Sequence, residues 1–136
     1  MTALVDTGFL LAVVSVNDRG HHACSQTLEI EQDPIVPAAI FTELAYMVIR
    51  DMGHAAFIRL MRSIFDGEMR LVFSSIEDLQ RATDIMEQYV DSKIDFVDCV
   101  IVAMAERLNI SRILTVDQRG FRILRPKHVP NFEILP

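Results

Sequence analysis

Short runs of β-forming residues alternate along this chain with longer segments whose apolar residues recur at helical spacing. The runs lie at residues 3–6, 35–37, 70–74, 112–116 and 132–135. Strands that take turns with helices predict βαβ units. The sequence therefore predicts an α/β fold with a largely parallel sheet.

The segments between these runs predict six helices. Apolar stripes indicate helices over 38–51, 55–65, 76–90 and 96–108, and the segment 7–31 holds two helices that break near 17–20. In the helix over 55–65, we expect the inward-facing side chains to be Phe57, Ile58, Met61, Ile64 and Phe65.

The size of the chain predicts a single domain over residues 1–136, because 136 residues suffice for one hydrophobic core. Cys24 and Cys99 are isolated, so neither a disulfide framework nor a zinc site is indicated. No apolar run approaches the about 18 residues of a membrane span, and the first residues lack the basic start of a signal peptide. We therefore expect a cytoplasmic protein that contacts no membrane.

The charge of the chain is unevenly distributed. A net charge of −6, from 13 basic and 19 acidic residues, argues against a protein that coats nucleic acid. Residues 107–128, however, contain one acid, Asp117, and six basic residues. This local positive excess can meet a phosphate backbone. The six basic residues are Arg107, Arg112, Arg119, Arg122, Arg125 and Lys127.

Four acidic residues are predicted to meet at one edge of the sheet. Asp6 ends the first strand and Asp117 follows the fourth. Glu43 lies early in the helix after the second strand, and Asp98 lies in the first turn of the helix before the fourth. Because connecting helices run antiparallel to the strands, all four positions lie near the carboxyl edge, where such sheets bind ligands.

Clustered carboxylates require a cation. Two carboxylates about 4 Å apart repel each other by about 4 kcal/mol at an effective dielectric constant of about 20. Oxygen ligands without thiolate or imidazole partners suit Mg²⁺ or Mn²⁺. One or two such ions flanked by acids are the apparatus of phosphodiester hydrolysis by metal-activated water.

Each acid also has a plain structural interpretation, and spacing alone leaves these alternatives open. Asp6 can cap the helix that follows it, and Asp117 can be a turn residue. Asp95 and Asp98 have the spacing of an N-cap and its reciprocal partner, and Glu43 can be a solvated residue near a helix start.

Other chemistries are poorly supported. The run Val5-Asp6-Thr7-Gly8 is superficially like an aspartic protease signature. Aspartic proteases are all-β proteins, however, whereas this run is followed by a predicted helix. Gly8 stands where a haloacid-type phosphatase needs a second acid. A nucleotide-binding domain is also disfavoured, because no glycine-rich phosphate loop follows the first strand.

Four segments together resemble the PIN domain family, in particular its VapC-type toxin nucleases. They are LVDTGFLLA, VPAAIFTELAYMV, YVDSKIDFVDCVIVAMAERLN and ILTVDQRGFRILRP, in this order along nearly the whole chain. The resemblance implies a three-layer α/β/α fold with a five-stranded parallel sheet in the order 3-2-1-4-5. It also implies a ribonuclease site that depends on Mg²⁺ or Mn²⁺.

The resemblance assigns a role to each candidate residue. Asp6 and Asp98 would bind the principal metal ion, and Glu43 and Asp117 would bind it or orient its waters. Two hydroxyl residues, Thr7 and Thr115, would hold water or phosphate behind these ligands. This sequence departs from the family at two positions, where Asp95 adds a fifth acid and Cys99 replaces a common alanine.

The resemblance also implies partners. The expected activity is endonucleolytic cleavage of RNA, with Arg119 and Arg122 on the phosphates, an antitoxin protein as inhibitor and a homodimer as the assembly. The helices over 38–65 are the expected antitoxin surface, through Met47, Met52, Leu60 and Met61, and the alternative for these residues is ordinary core and dimer packing. The alternative is a catalytically silent PIN-like module that binds RNA or protein without cutting.

Overall fold

Five short strands form one parallel sheet in the computed structural model of the chain, which describes residues 2–136. The strands are β1 (Thr2–Val5), β2 (Asp33–Pro37), β3 (Arg70–Val72), β4 (Arg112–Leu114) and β5 (Glu133–Leu135). Their order across the sheet is β3-β2-β1-β4-β5. The predicted α/β class, the parallel sheet and the strand order are confirmed.

Seven α-helices connect and cover the strands within residues 2–136. Six of them were predicted, whereas α7 was not, because a helix of six residues is too short to show an apolar stripe. No helix in residues 2–136 combines the length and hydrophobicity needed to cross a bilayer. The helices are α1 (Thr7–Val14), α2 (His21–Ile30), α3 (Phe41–Met52), α4 (His54–Phe65), α5 (Ile76–Gln88), α6 (Phe96–Leu108) and α7 (Gln118–Ile123).

Several elements begin or end differently from the predictions. The helix predicted over 38–51 starts as a 3-10 turn, Ala38–Ile40, before α3. The strands predicted at 70–74 and 112–116 each end two residues early, at Val72 and Leu114. β3 ends where its neighbour does, because Val72 pairs with Pro37, the last residue of β2. Strand length is set by the partner strand as well as by local sequence.

The register of the central strands places the ends of β1 and β4 side by side. Val5 pairs with Leu114 in neighbouring parallel strands. The N–H of Asp6 then donates a hydrogen bond of 2.9 Å to the carbonyl of Leu114. Asp6 and Thr115, the residues that follow these strands, therefore leave the sheet at the same level.

Both faces of the sheet are covered. Ala3, Leu4 and Val5 are consecutive residues of β1 and are fully buried. Because successive residues of a strand point to opposite faces, helices must cover both sides of the sheet. The helix α6 is buried from Asp98 to Ala105, so it lies inside the protein over most of its length.

The inward face of α4 differs from the prediction. Ile58 and Phe65 were expected to face the core, but they are 51% and 68% exposed. The buried positions of this helix are Leu60 and Ile64, with Phe57 half-buried against the core. Apolar residues occur on more than one side of α4, and periodicity alone does not show which side the rest of the protein covers.

Candidate active site

Asp6 lies at the junction between β1 and α1 and is held by two hydrogen bonds. Its Oδ1 accepts a hydrogen bond of 2.8 Å from the N–H of Thr7, and its Oδ2 accepts one of 2.9 Å from the hydroxyl of Thr115. The side chain is only 6% exposed. Asp6 thus caps α1, as the structural alternative predicted, and at the same time turns its carboxylate towards the end of β4.

Thr115 connects the acids that follow β1 and β4. It is fully buried, and its hydroxyl donates to Asp6 and accepts a hydrogen bond of 3.1 Å from the N–H of Asp117. A threonine hydroxyl has one proton and two acceptor lone pairs, so it can serve both neighbours at once. Thr115 therefore sets where Asp6 and the backbone of Asp117 lie relative to each other.

Asp98 is a buried acid to which nothing in residues 2–136 donates a hydrogen bond. It lies in the first turn of α6 and is 8% exposed. Burial, together with repulsion from Asp6, Asp117 and other nearby acids, raises the pKa of Asp98 to about 8. A buried carboxylate without a partner is costly when ionised, so this position favours either a proton or a cation.

Burial is also the main cause of a raised pKa at Asp6. The hydrogen bonds from Thr115 and Thr7 act in the opposite direction, because they stabilise the carboxylate. Repulsion from Glu43 and Asp117 adds to the effect of burial. The pKa is therefore raised at both of the most buried acids of the site, Asp6 and Asp98, and burial is the main cause at each.

The acids surround one cavity of about 160 Å³. Of the nine residues in the described range 2–136 that line it, five are acidic and none is basic. All four acids predicted from the sequence are present, although Glu43 and Asp117 are more exposed than the other two. The lining residues are Asp6, Thr7, Gly8, Glu43, Met47, Asp95, Val97, Asp98 and Asp117.

Thr7 and Asp95 also line the cavity, next to the four predicted acids. The Thr7 hydroxyl lies 3.5 Å from Oε2 of Glu43 and donates to it. Asp95 occupies the N-cap position of α6, but its side chain makes no capping hydrogen bond. Neither Asp95 nor Asp98 thus has the capping role that their spacing allowed, and Asp95 is a fifth carboxylate in the cavity wall.

The cavity has the donor chemistry for a hard divalent cation but not a closed coordination shell. Carboxylates and hydroxyls suit Mg²⁺ or Mn²⁺, and no Lys or Arg neutralises them. In residues 2–136, however, no three His, Cys, Asp or Glu side chains are grouped closely enough to hold a metal ion. The acids would have to move towards a cation that binds there.

Only part of the predicted basic cluster is free to meet a phosphate backbone. Arg107 pairs with Asp78 at 2.8 Å, and Arg112 pairs with Glu31 at 2.7 Å. These two arginines hold elements of the fold together. By contrast, Arg119 and Arg122 are exposed on α7, which begins directly after Asp117, and no acid in residues 2–136 forms an ion pair with either.

Three of the lining residues, Gly8, Met47 and Val97, were not predicted from the sequence to belong to the site. Met47 lies four residues after Glu43 in α3 and is therefore on the same side of that helix. This spacing was available in the sequence. Gly8 and Val97 carry no comparable signal, because a glycine or valine beside an acid is common in any fold.

The chain is similar to known proteins in sequence and in fold. Residues 3–125 match the PIN domain family. Ribonuclease VapC26 of Mycobacterium tuberculosis (strain ATCC 25618 / H37Rv) is 29% identical over 134 residues, covering 98% of this chain and 99% of the relative.

Two solved structures share the fold. VapC20 of Mycobacterium tuberculosis, described as a sarcin-ricin loop cleaving toxin, superposes with a TM-score of 0.76 and 17% identity, covering 82% of this chain and 86% of that one. A toxin-antitoxin complex from Klebsiella pneumoniae contains a chain with a TM-score of 0.69 and 18% identity, and the match covers 90% of this chain and 92% of that one.

Proposed function

The chain belongs to the PIN domain family, and on this premise we propose that it is a VapC-type toxin, an endoribonuclease that hydrolyses RNA phosphodiester bonds with Mg²⁺ or Mn²⁺. One observation carries the proposal. Five carboxylates line a single cavity, and none of its lining residues in 2–136 is basic. Among these acids Asp98, whose pKa is raised to about 8, has no hydrogen-bond donor in residues 2–136.

The residues of the cavity divide into two groups by burial. Asp6 and Asp98 are buried and would hold the principal cation, whereas the more exposed Glu43 and Asp117 would orient the attacking water. A bound divalent ion supplies a Lewis acid that lowers the pKa of water and offsets charge on the phosphate. Thr115 keeps the carboxylate of Asp6 in place through the hydrogen bond to Oδ2.

Glu43 would act as the base that accepts a proton from the attacking water. Its Oε2 receives the hydrogen bond from Thr7, which leaves Oε1 to accept a proton from water at the edge of the cavity. The water oxygen would then bond to phosphorus in line with the leaving 3′ oxygen, whose bond to phosphorus breaks and which takes up a proton from solvent. Asp117, which also lines the cavity, would orient the same water.

RNA would be held through its backbone. Arg119 and Arg122 lie on the exposed side of α7, within five residues of Asp117. Contacts from these guanidinium groups to phosphates give affinity without a choice of sequence. The side chain of Arg122 is held in place within α7, because its Nη2 donates a hydrogen bond of 2.6 Å to Oε1 of Gln118.

An antitoxin would bind over α1, α3 and α4. A cavity of about 390 Å³ lies there, lined by Val14, Met52, Ala56, Arg59, Leu60 and Ser63. Leu60 lines this cavity but is buried, so it adds less partner surface than the sequence suggested. An apolar helix of the antitoxin would fill this groove. If a small reading frame neighbours the gene for this chain, Ala56→Glu, which puts a charge into the groove, should abolish binding of its product.

A homodimer would form through α5. Ile76, Leu79 and Met86 are exposed on one side of this helix, at the spacing of a coiled-coil seam, and the exposed Phe73 and Val90 lie just beyond its two ends. A two-fold axis would set this seam against its copy. Sedimentation should therefore show a dimer for the parent chain and a monomer for Ile76→Asp/Met86→Asp.

The alternative is a PIN-like module that binds RNA or protein without cutting. It is favoured by the absence, in residues 2–136, of three acids already grouped around a metal position. Such a module would bind RNA to a similar extent with or without divalent cations, and it would leave the RNA intact.

One experiment separates the two functions. Purified parent protein, Asp6→Asn, Asp98→Asn and the control Asp66→Asn, an exposed acid outside the cavity, are incubated with single-stranded RNA and Mn²⁺ or EDTA. We expect the parent and Asp66→Asn to cut RNA only with Mn²⁺, and the two site variants not to cut. Equal cleavage by the parent and Asp98→Asn would refute the nuclease proposal.

A further inference from the structure

Two glycines lie within the short helices that carry or contact the acids. Gly8 is the second residue of α1 and lines the cavity, and Gly120 is the third residue of α7 and is buried. Glycine is less favourable than alanine inside a helix. Neither glycine has a positive φ, so backbone conformation does not require one at either position. The requirement must come from space.

Gly8 lets the start of α1 lie against the segment that follows β4. A Cβ atom at Gly8 would lie 2.8 Å from Cγ2 of Val116, which is closer than two carbon atoms approach. Val116 stands between Thr115 and Asp117, and although its side chain is half exposed, β-branching restricts its χ1 rotation, so Cγ2 does not turn away without a cost. Alanine at position 8 would therefore push on the segment that holds Asp6 and Asp117 in place.

Gly120 lets α7 lie against the buried acid of α6. A Cβ atom at Gly120 would lie 3.1 Å from Oδ2 of Asp98 and 3.9 Å from Cδ1 of Ile94. An apolar methyl group at that distance would displace the carboxylate and remove some of the space around it. The two glycines thus sit at close contacts between the three segments that carry Asp6, Asp117 and Asp98.

Resting on the function proposed above, we infer that Gly8 and Gly120 are positioning residues that set the spacing of the carboxylates. Gly8 sets the distance between the β1–α1 junction, with Asp6, and the β4–α7 junction, with Asp117. Gly120 sets the distance between α7 and Asp98 on α6. The size of the residue at positions 8 and 120 therefore determines whether the acids can draw in around a divalent cation.

The experiment compares Gly8→Ala, Val116→Ala and the double variant Gly8→Ala/Val116→Ala. Gly20→Ala is the matched control, because a Cβ there meets its nearest neighbour at 3.4 Å, an ordinary contact, and Gly20 lies outside the cavity. Thermal unfolding, Mn²⁺ affinity by calorimetry, and kcat and KM on RNA are measured for each. Gly120→Ala is measured beside them.

We expect Gly8→Ala to weaken Mn²⁺ binding and lower kcat by about tenfold or more with a smaller change in KM, because misplacing a catalytic group by about 1 Å can cost about a hundredfold. Val116→Ala and Gly20→Ala should match the parent. The double variant should recover most of the lost affinity and rate, because it removes the methyl group that collides. Gly120→Ala should weaken Mn²⁺ binding in the same direction.

Three results would overturn the inference. The first is parental Mn²⁺ affinity and kcat in both Gly8→Ala and Gly120→Ala. The second is a defect in Gly8→Ala that the double variant does not relieve, which would mark a general loss of folding. The third is a parent protein that neither binds Mn²⁺ nor cuts RNA, which would refute the proposed function as well. A parent that binds Mn²⁺ without cutting RNA refutes only the nuclease function. The Mn²⁺ affinities of the glycine variants then still test the inference.

Discussion

The hydroxyl of Thr115 donates a hydrogen bond of 2.9 Å to Oδ2 of Asp6, which lies 109 residues earlier in the chain. This contact joins the residues that follow two neighbouring strands of the sheet, β1 and β4. The same hydroxyl accepts the N–H of Asp117. One buried side chain therefore positions two of the acids that line the cavity.

Replacing Thr115 by valine keeps its shape and removes this hydroxyl. We expect Thr115→Val to lower the free energy of unfolding by about 2 kcal/mol, because a buried hydrogen bond to a charged group is lost, and to lower kcat on RNA more than KM. Thr115→Ser, which keeps the hydroxyl, is the control. Urea unfolding and steady-state kinetics would show the prediction to be wrong if valine and serine behaved alike.

The pKa of Asp98 predicts how stability without metal depends on pH. This pKa is about 8 in the folded protein, against an ordinary value of 3.8. Between these values the folded state keeps a proton that the unfolded state has released, so the free energy of unfolding falls as pH rises from about 4 to 8. Each pKa unit of difference corresponds to about 1.4 kcal/mol.

Asp98→Asn should remove most of this dependence, because asparagine does not titrate. We expect urea unfolding in EDTA to show a variant more stable than the parent at pH 8, with a smaller difference at pH 5. The raised pKa of Asp6 leaves a residual slope of the same sign in the variant. A parent and a variant whose stabilities differ by the same amount at both pH values would contradict the prediction.

Asp78 is expected to matter for stability and not for the site. It is buried, its side chain caps α5 together with Ser75, and it pairs with Arg107 of α6. Asp78→Ala should cost about 3 kcal/mol, because a cap worth about 1 kcal/mol and a partly buried ion pair are lost together. Chemical unfolding measures this loss, and Mn²⁺ affinity should stay at the parental value.

The pH dependence of this contribution has the opposite sign to that of Asp98. Burial favours a higher pKa for Asp78, but the hydrogen bonds from Arg107 and Ser75 hold the pKa below its ordinary value of 3.8. Its stabilisation is thus present above about pH 4 and lost as pH falls further. Asp51→Ala, which breaks the exposed pair between Arg50 and Asp51, is the control and should leave stability unchanged.

Arg119 and Arg122 are expected to bind phosphate groups. Arg119→Ala/Arg122→Ala should raise KM for RNA and leave kcat nearly unchanged, because the lost contacts hold the backbone and not the reacting atoms. Each phosphate contact to single-stranded RNA contributes about 0.7 to the slope of log affinity against log salt. Loss of two contacts should therefore reduce the magnitude of this slope by about 1.4. Arg19→Ala, an exposed arginine after the end of α1, is the control, and an equal effect of this variant would refute a specific role for α7.

The sequence determined the architecture and the identity of the acids. Alternating patterns predicted all five strands, and residues that follow parallel strands must meet at one edge of a sheet, so Asp6 and Asp117 were predictable as neighbours. Asp98 followed from the direction of the helix that precedes β4. These conclusions depend on local periodicity and on topological rules, which a single sequence expresses directly.

Only the tertiary structure decided what faces each of these residues. It showed that Asp98 has no hydrogen-bond donor in residues 2–136, that Asp95 lines the cavity without capping α6, and that Arg107 and Arg112 are used in ion pairs. It also showed that Gly8 and Gly120 lie against Val116 and Asp98. The reason is physical: burial, pKa and steric fit depend on atoms that distant parts of the chain bring to the same place, and no local pattern records that distance.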